Sequence, residues 1–370
     1  MLHVKWIGLF FAVTISLASS AQAVGGFPAP TFKLSDIKHK EGKSGLSLGP
    51  GNSITIVSGQ GTPTTINVLA FSADGKLLAA GKDFGRVVVW NVADRKVLCA
   101  LNTGEGIVTA VALSPDGRWL ATAGQGDNYR SKLWHLPDGK LIRTYDYFGG
   151  FVHSLAFGPD GKWMIAWSND VKVHILDTTQ EKQLLVMDGA FSPLLSADGQ
   201  ILMTVARTEF AVWDTASWMK VRSLARPADG AVPMALDAKA GTFVISSSGE
   251  FRLMRLDDGV LLPNSPKPDL PRFNPSAGGF AAFREGTPFL FGHSDDRLWA
   301  WNSATGQICM SEMMYSESGA LSPDGLLLAG SKDNSIFAQN AGGTEVWLWN
   351  TDELTSKCFG NDQPSSPQAK

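Results

Sequence analysis

Apolar and polar positions in residues 107–145 fall into four short runs with turn residues between them. The runs are VTAVALS, RWLATAG, KLWHL and KLIRTY, and Ser114-Pro115-Asp116-Gly117 joins the first two. Proline presets the second position of such a turn, and glycine suits the fourth. Because the inner runs carry apolar residues at both parities, they predict a small antiparallel sheet that is covered on both faces.

Copies of this unit follow one another along the chain. The turn between the first and second runs recurs at residues 72–75, 114–117, 158–161, 196–199 and 322–325, with worn forms at 238–241 and 283–286. The spacing averages about 42 residues, which is the period of four-stranded propeller blades. An aromatic residue also recurs on the third run, at Trp90, Trp134, Trp213, Trp301 and Trp349.

With these repeats the chain resembles the WD40-repeat family over roughly Ser53 to Gly360. The resemblance implies an all-β fold, a seven-bladed β-propeller of four-stranded antiparallel blades over residues 53–360. In many members a Gly-His, a serine or threonine, an aspartate in the second-to-third turn and the third-strand tryptophan are joined by hydrogen bonds across each blade. Here the aspartates remain at Asp83, Asp170, Asp295 and Asp333 but the histidines do not, so we expect packing and ring closure to hold the fold.

Ring closure needs one more strand, because an open ring exposes strand edges. In the family an N-terminal strand often completes the last blade, and Ser53–Ser58 suits that role. Thr355–Gly360 is the competing candidate, and the sequence does not decide between them. We interpret residues 24–52 as a flexible lead-in and residues 361–370 as a disordered tail.

Residues 1–23 have the pattern of a secretory leader. A weakly positive start precedes the apolar run Trp6–Leu17, and Ala21-Gln22-Ala23 supplies small residues at a cleavage position. The run is too short to span a bilayer. We therefore expect cleavage after Ala23, no stable membrane insertion afterwards, and a periplasmic or secreted bacterial protein.

Charge and cysteine content restrict the function further. The formal net charge is −3, and no general basic character points to nucleic acid as a partner. The three cysteines show no metal-binding spacing. Cys309 and Cys358 fall on neighbouring predicted blades, where they could form a disulfide outside the cytosol or remain thiols.

The sequence contains no recognisable catalytic motif, and it predicts neither a cofactor nor a metal. His293 beside Asp295 and Asp296 is interpreted as a solvated turn. An enzyme of the lactonase or quinoprotein type, with a site at the channel mouth, is the alternative. The first predicted strands mostly begin with small or apolar residues, which disfavours it. A structural subunit of an envelope complex is a further alternative.

Aromatic residues gather on one predicted face of the ring. The crossings between blades and the loops between second and third strands share this top face, and all four tyrosines fall in them: Tyr129, Tyr145, Tyr147 and Tyr315, with Phe148 alongside. Tyrosines on loops are favoured binding anchors. The sequence therefore predicts a monomeric ring that acts as a non-catalytic interaction scaffold, with a protein or peptide as its partner.

Acidic residues outnumber basic ones in the predicted crossings. The acids are Glu105, Asp146, Asp188, Asp229, Asp269, Glu312 and Glu317, and the bases are Arg226, Lys267 and Arg272. An acidic mouth would steer a basic segment toward it. Together with the tyrosines, Glu105, Asp188, Asp229 and Glu317 are the candidate partner-binding residues.

Overall fold

The repeated turns fold the chain into a ring of small antiparallel sheets, and the seven-bladed β-propeller is confirmed. A computed structural model describes residue 27 and residues 30–34, 38–40, 43–45, 47–48, 54–55, 65–126, 129–247, 250–262, 280–294, 297–311, 318–333 and 344–360. The leader, the tail at 361–370, and Tyr315 and Glu317 lie outside these residues.

The strands follow in chain order, and the blades are built from consecutive strands. Before the blades come β1 (Phe32–Leu34), β2 (Lys38–Lys40), β3 (Lys43–Gly45), β4 (Ser47–Leu48) and β5 (Ile54–Thr55). Blade 1 contains β6 (Ile66–Phe71), β7 (Leu77–Lys82), β8 (Arg86–Asn91) and β9 (Lys96–Asn102). Blade 2 contains β10 (Val108–Leu113), β11 (Trp119–Gly124), β12 (Ser131–His135) and β13 (Lys140–Tyr145). Blade 3 contains β14 (Val152–Phe157), β15 (Trp163–Ser168), β16 (Lys172–Asp177) and β17 (Lys182–Asp188).

Blade 4 contains β18 (Phe191–Leu195), β19 (Ile201–Val205), β20 (Glu209–Asp214) and β21 (Met219–Ala225). Blade 5 has β22 (Val232–Asp237), β23 (Thr242–Ser247) and β24 (Glu250–Arg255). Blade 6 has β25 (Ala281–Phe283), β26 (Phe289–Ser294), β27 (Arg297–Asn302) and β28 (Ile308–Met310). Blade 7 has β29 (Gly319–Leu321), β30 (Leu327–Asp333) and β31 (Thr344–Asn350), and one helix, α1 (Thr351–Phe359), follows. In the described part of blade 5 only a single bridge, Met254 to Leu261, stands where a fourth strand was expected.

The recurring turn is held by its own side chains. The Ser114 hydroxyl donates to Asp116 Oδ1 at 2.6 Å and accepts from the Trp119 backbone N–H at 2.9 Å. Asp116 Oδ1 also accepts from the Arg118 N–H at 3.1 Å. Gly117 takes φ 68°, which an L side chain resists. Serine, aspartate and glycine thus each meet a separate requirement of the turn, and this is why the three residues recur together.

The core lies between neighbouring blades. Leu77 and Val89 of blade 1 pack against Val111, Leu120 and Trp134 of blade 2 in one buried cluster. Burying a side chain of this size contributes about 1.5–3 kcal/mol. A blade alone would expose the side chains that the neighbouring blade covers, so packing between blades stabilises the ring.

The ring is closed by β1, and this corrects both predicted closing strands. Phe32 pairs with Leu348 and Leu34 with Val346 of β31, so the fourth position of blade 7 is filled from the predicted lead-in. The Asn350 N–H also donates to Thr31 Oγ1 at 2.8 Å. Within Ser53–Ser58, the described residues Ile54–Thr55 pair with Ser47–Leu48 and not with blade 7.

The second candidate, Thr355–Gly360, is wrong because residues 351–359 form α1. The Asn350 side chain caps the helix by accepting the Glu353 N–H at 3.0 Å, and acidic residues occupy the first turn. Leu354 and Cys358 are buried against blade 6, where a disulfide joins Cys309 to Cys358 with a Cα–Cα distance of 5.8 Å. The disulfide, one of two alternatives in the sequence, is therefore formed and fastens the helix to the ring.

Parts of the family's hydrogen-bond relay survive in spite of the missing histidines. Trp134 Nε1 donates to Thr122 Oγ1 at 2.9 Å, and Trp213 Nε1 donates to Thr204 Oγ1 at 2.9 Å. In blade 3, Leu176 stands at the position of the tryptophan, and His174 two residues earlier has its Nε2 3.2 Å from Asp170 Oδ2. Packing is thus supplemented by side-chain bonds in these blades.

Candidate functional site

Side chains of blade 2 and of the crossing after it donate hydrogen bonds to the end of the third strand of blade 3 and the turn that follows. Arg143 donates to the Thr178 carbonyl at 2.9 Å, the Tyr145 hydroxyl to the Asp177 carbonyl at 2.8 Å, and the Tyr147 hydroxyl to the Glu181 carbonyl at 3.2 Å. Three side chains at or just beyond the end of β13 therefore hold blades 2 and 3 together.

This arrangement changes the role of two predicted anchors. Tyr145 is fully buried, and burial raises the pKa of its hydroxyl. Phe148 is buried as well, with its ring 5.0 Å from that of His174. Neither presents surface to a partner in this structure, because both fill the gap between blades 2 and 3. Tyr147 stays partly exposed while its hydroxyl is bound.

Glu105 is a structural acid. Its carboxylate lies 2.6 Å from Lys132 Nζ, and the two side chains are only 7% and 17% exposed. Lys132 Nζ also donates to the Thr103 carbonyl. The carboxylate lies against Gly126, where a Cβ would be 1.9 Å from Glu105 Oε2 and would displace the carboxylate. The ion pair thus ties the crossing between blades 1 and 2 to the third strand of blade 2.

The other described acids of the crossings are paired too. Asp146 meets Arg130 at 3.2 Å, Asp188 meets Lys172 at 3.0 Å, and Asp229 forms an ion pair with Arg252. Burial acts to raise the pKa of Asp229, but hydrogen bonds from Ser247 and Arg252 hold it below its usual value. Each of these three acids, like Glu105, is therefore neutralised by a base from a second-to-third-strand loop or a third strand. Those bases were not included when the crossings were counted.

Blade 3 holds the most connected polar group of the top face. Asp170 accepts from the Gly149 N–H at 3.2 Å and from Ser168, and it lies beside His174. Burial acts to raise the pKa of Asp170, but these hydrogen bonds and His174 outweigh it and hold the pKa below its usual value. The serine, aspartate and histidine stand in a structural relay, since His174 is buried and also bonded to Gln183.

Besides Tyr129, which the sequence predicted, the same face carries exposed apolar residues that the sequence did not predict. Phe84, Ile107, Tyr129 and Val171 are 57%, 38%, 36% and 49% exposed. The Tyr129 ring contacts Phe151 edge-on at 4.9 Å. We call these five residues the apolar crest. The available signal was an apolar residue inside the turns Asp83-Phe84-Gly85 and Asp170-Val171-Lys172, where small polar residues are usual.

Three crest residues share an unusual backbone. Phe84, Tyr129 and Val171 have φ values of 58°, 49° and 59°, each in the loop between second and third strands of its blade. The left-handed conformation costs a non-glycine residue about 1–2 kcal/mol, and a β-branched valine is a marked outlier there. Such strain persists where the surroundings or the function require that side chain.

Among the described residues no group of three histidine, cysteine or acidic side chains is placed to hold a metal ion. His293 lies buried on β26, so the solvated-turn interpretation is wrong for that residue. Within the described part of the chain no helix has the length and apolar character needed to cross a membrane.

Comparison with known proteins agrees with this architecture. The WD40 family profile, described as WD domain, G-beta repeat, matches residues 96–135. The β-propeller domain of Cps50 (Swd1) from Myceliophteria thermophila superposes with a TM-score of 0.59 at 18% identity, covering 78% of this chain and 99% of that one. The fold is thus that of a seven-bladed β-propeller. The segment 96–135 is similar to a WD40 repeat, as the sequence predicted.

Two curated relatives share only a short stretch. Apoptotic protease-activating factor 1 of Rattus norvegicus is 40% identical over 74 residues, and the human protein is 43% identical over 63 residues. The matches cover 18% and 15% of this chain but only 6% and 5% of those proteins. The similarity therefore concerns a short segment and not whole proteins.

Proposed function

We propose that the chain is an exported, non-catalytic WD40-type scaffold that binds another protein through the top face of blades 1–3. The observation that carries this proposal is the composition of that face. Its described carboxylates are engaged inside the molecule, while apolar side chains remain exposed on strained loop tips. A surface of this kind suits contact with a partner better than proton transfer.

Export is supported by two separate features. The leader pattern ends at Ala23, and the Cys309–Cys358 disulfide requires an oxidising compartment to persist. N-terminal sequencing of the protein from its native host should find Val24 as the first residue. A chain that retains Met1 in a membrane fraction would contradict this part of the proposal.

Photo-crosslinking tests the binding face directly. A photoreactive phenylalanine analogue is placed at Tyr129 on the top face, or at Ala197, an exposed position in a turn on the opposite face. We expect discrete cross-linked products in native cells from Tyr129 and none from Ala197. Products from Ala197 alone would show that the binding face is wrong.

A further inference from the structure

The first described residues of the chain are tied to its last two blades. The Phe27 N–H donates to the carbonyl of Met310, at the end of β28 in blade 6, at 3.1 Å. The Phe27 ring meets the ring of Trp349 on β31 edge-on, with the centroids 5.9 Å apart. Further along, β1 pairs with β31 in blade 7. We call residue 27 and residues 30–34 the strap, because they run from blade 6 to blade 7.

The strap is held by packing as well as by hydrogen bonds. Phe27 packs against the buried cluster that contains Leu354 and Cys358 of α1, the helix that the disulfide fastens to blade 6. Thr31 Oγ1 accepts the Asn350 N–H at 2.8 Å, just before β1 begins. Each of these contacts is made to blade 6, blade 7 or α1. The strap is therefore fixed only when the ring is closed.

The predicted cleavage junction lies close to the strap in the sequence. Residues 24–26, Val-Gly-Gly, are all that separate the Ala23–Val24 bond from Phe27. Three residues span about 10 Å even when they are fully extended. A closed ring thus keeps the bond to be cut within about 10 Å of Phe27, and hence beside blades 6 and 7.

Proteolysis requires a loosely held backbone. Cleavage concentrates at termini and loops that burial and hydrogen bonds do not fix. Where opening is fast, the cleavage rate follows the fraction of molecules in which the segment is open. In the closed ring, the hydrogen bond and the ring contact of Phe27 must break before the chain beyond the junction can leave the blades. Access to the junction therefore depends on whether the ring is closed.

We propose that the strap protects the leader junction, so that the leader is removed from chains whose ring is open and is retained by chains that close first. This inference rests on the proposed export of the protein and specifies the order of its two maturation steps. A strap seated on blades 6 and 7 conceals the junction, and a junction held in a protease keeps the strap off those blades.

The experiment measures cleavage of the full-length precursor by a purified bacterial signal peptidase in detergent micelles. The peptidase is added either as the unfolded precursor is diluted from urea or after the precursor has folded with its disulfide formed. One variant carries a flexible glycine-serine spacer of about ten residues between Gly26 and Phe27. The matched control carries the same spacer between Gly360 and Asn361, beyond α1. Both insertions leave the strap intact, so both melting temperatures should equal that of the wild type.

We expect the wild-type precursor to be cut after Ala23 when the peptidase is present during folding, and to resist when the peptidase is added afterwards. The rate after folding should be lower by about tenfold or more, a factor that about 1.4 kcal/mol of local closure supplies. The spacer before Phe27 should abolish this resistance, because it moves the junction away from the strap. The spacer after Gly360 should leave the resistance unchanged.

Three outcomes would count against the proposal, and mass spectrometry of the products distinguishes them. Equal rates for the wild type during and after folding would overturn protection by the strap and leave the proposed export standing. Resistance of the folded precursor with the spacer before Phe27 would show that the protection does not come from the strap, and would overturn the proposal as well. A wild-type precursor that is not cut after Ala23 even during folding would contradict the proposed export itself.

Discussion

Replacing Lys132 with methionine should leave the Glu105 carboxylate buried without its cation. The carboxylate is 7% exposed, is enclosed by the segment around Gly126, and lies 2.6 Å from the ammonium group that is removed. Breaking a buried pair by deleting one partner costs about 3–5 kcal/mol. The Lys132 side chain is 17% exposed, so water can partly replace its ammonium group beside the carboxylate. We therefore expect the free energy of unfolding to fall by an amount near the lower limit, about 3 kcal/mol.

Thermal and urea unfolding followed by tryptophan fluorescence measure the effect. A loss of this size should lower the melting temperature by about 6 °C in a domain of this length. Glu105→Gln in the same chain should recover much of the loss, since a neutral amide does not need a cation. The matched control is Lys172→Met, which removes the cation of an exposed pair and should leave the midpoint nearly unchanged.

The double-mutant cycle decides whether the reasoning is right. Coupling between Glu105 and Lys132 predicts that the two single losses do not add. A Lys132→Met variant no less stable than Lys172→Met would show that water reaches Glu105, and the structural role assigned to this acid would then be wrong.

The other predictions concern closure and acid stability. Reducing the Cys309–Cys358 disulfide should lower the free energy of unfolding by about 4 kcal/mol, because the bond closes a loop with a sequence separation of 49. A Cys309→Ser/Cys358→Ser variant should be insensitive to reductant. An unaltered urea midpoint of the wild type on reduction would contradict this. A chain that starts at residue 35 lacks β1, so it should have a lower melting temperature and associate through the exposed edge of β31. A chain that starts at residue 30 retains β1 and should do neither. Equal behaviour of the two chains would show that β1 does not close the ring. The folded-state pKa of Asp170 lies below 3.8, so its stabilisation is present above about pH 4 and is lost as the pH falls through that lowered value. Asp170→Asn should therefore reduce stability at pH 7 and lessen the further loss below about pH 4, and an unchanged loss of stability in acid would refute the assignment.

The blades could be predicted from sequence because their signal is local and repeated. The turn at Ser114–Gly117 contains every residue that its hydrogen bonds use, and the tryptophans mark the third strands. The closing strand could not be predicted in the same way. Phe32–Leu34 is three residues long, which is too short for its alternation of apolar and polar residues to identify a strand, and its partner β31 lies at the other end of the chain. The helix cap at Asn350 could have been predicted from the sequence, but the residues that follow it were interpreted as a strand of the repeat.

The candidate site was predictable only in position. The loops that share the top face follow from the repeat, and Tyr129 does lie there exposed. The partner of the Tyr145 hydroxyl is a backbone carbonyl at Asp177, which residue types cannot indicate. The bases that neutralise Glu105 and Asp188 lie in third strands, so a count over the crossings omitted them. Contacts between blades, more than the content of any loop, decided which predicted residues stayed accessible.

The pairing of β1 with β31 has a consequence for folding during synthesis. Phe32 meets Leu348, so the first strand of the ring is synthesised long before its partner. Blades 1 to 4 join neighbouring strands and can form in turn, whereas the last blade requires the slowest kind of contact, one between distant residues. In the interval, the unpaired edge of the last blade can combine with other nascent chains. Synthesis therefore ends with a competition between closure of each ring on itself and exchange of first strands between rings.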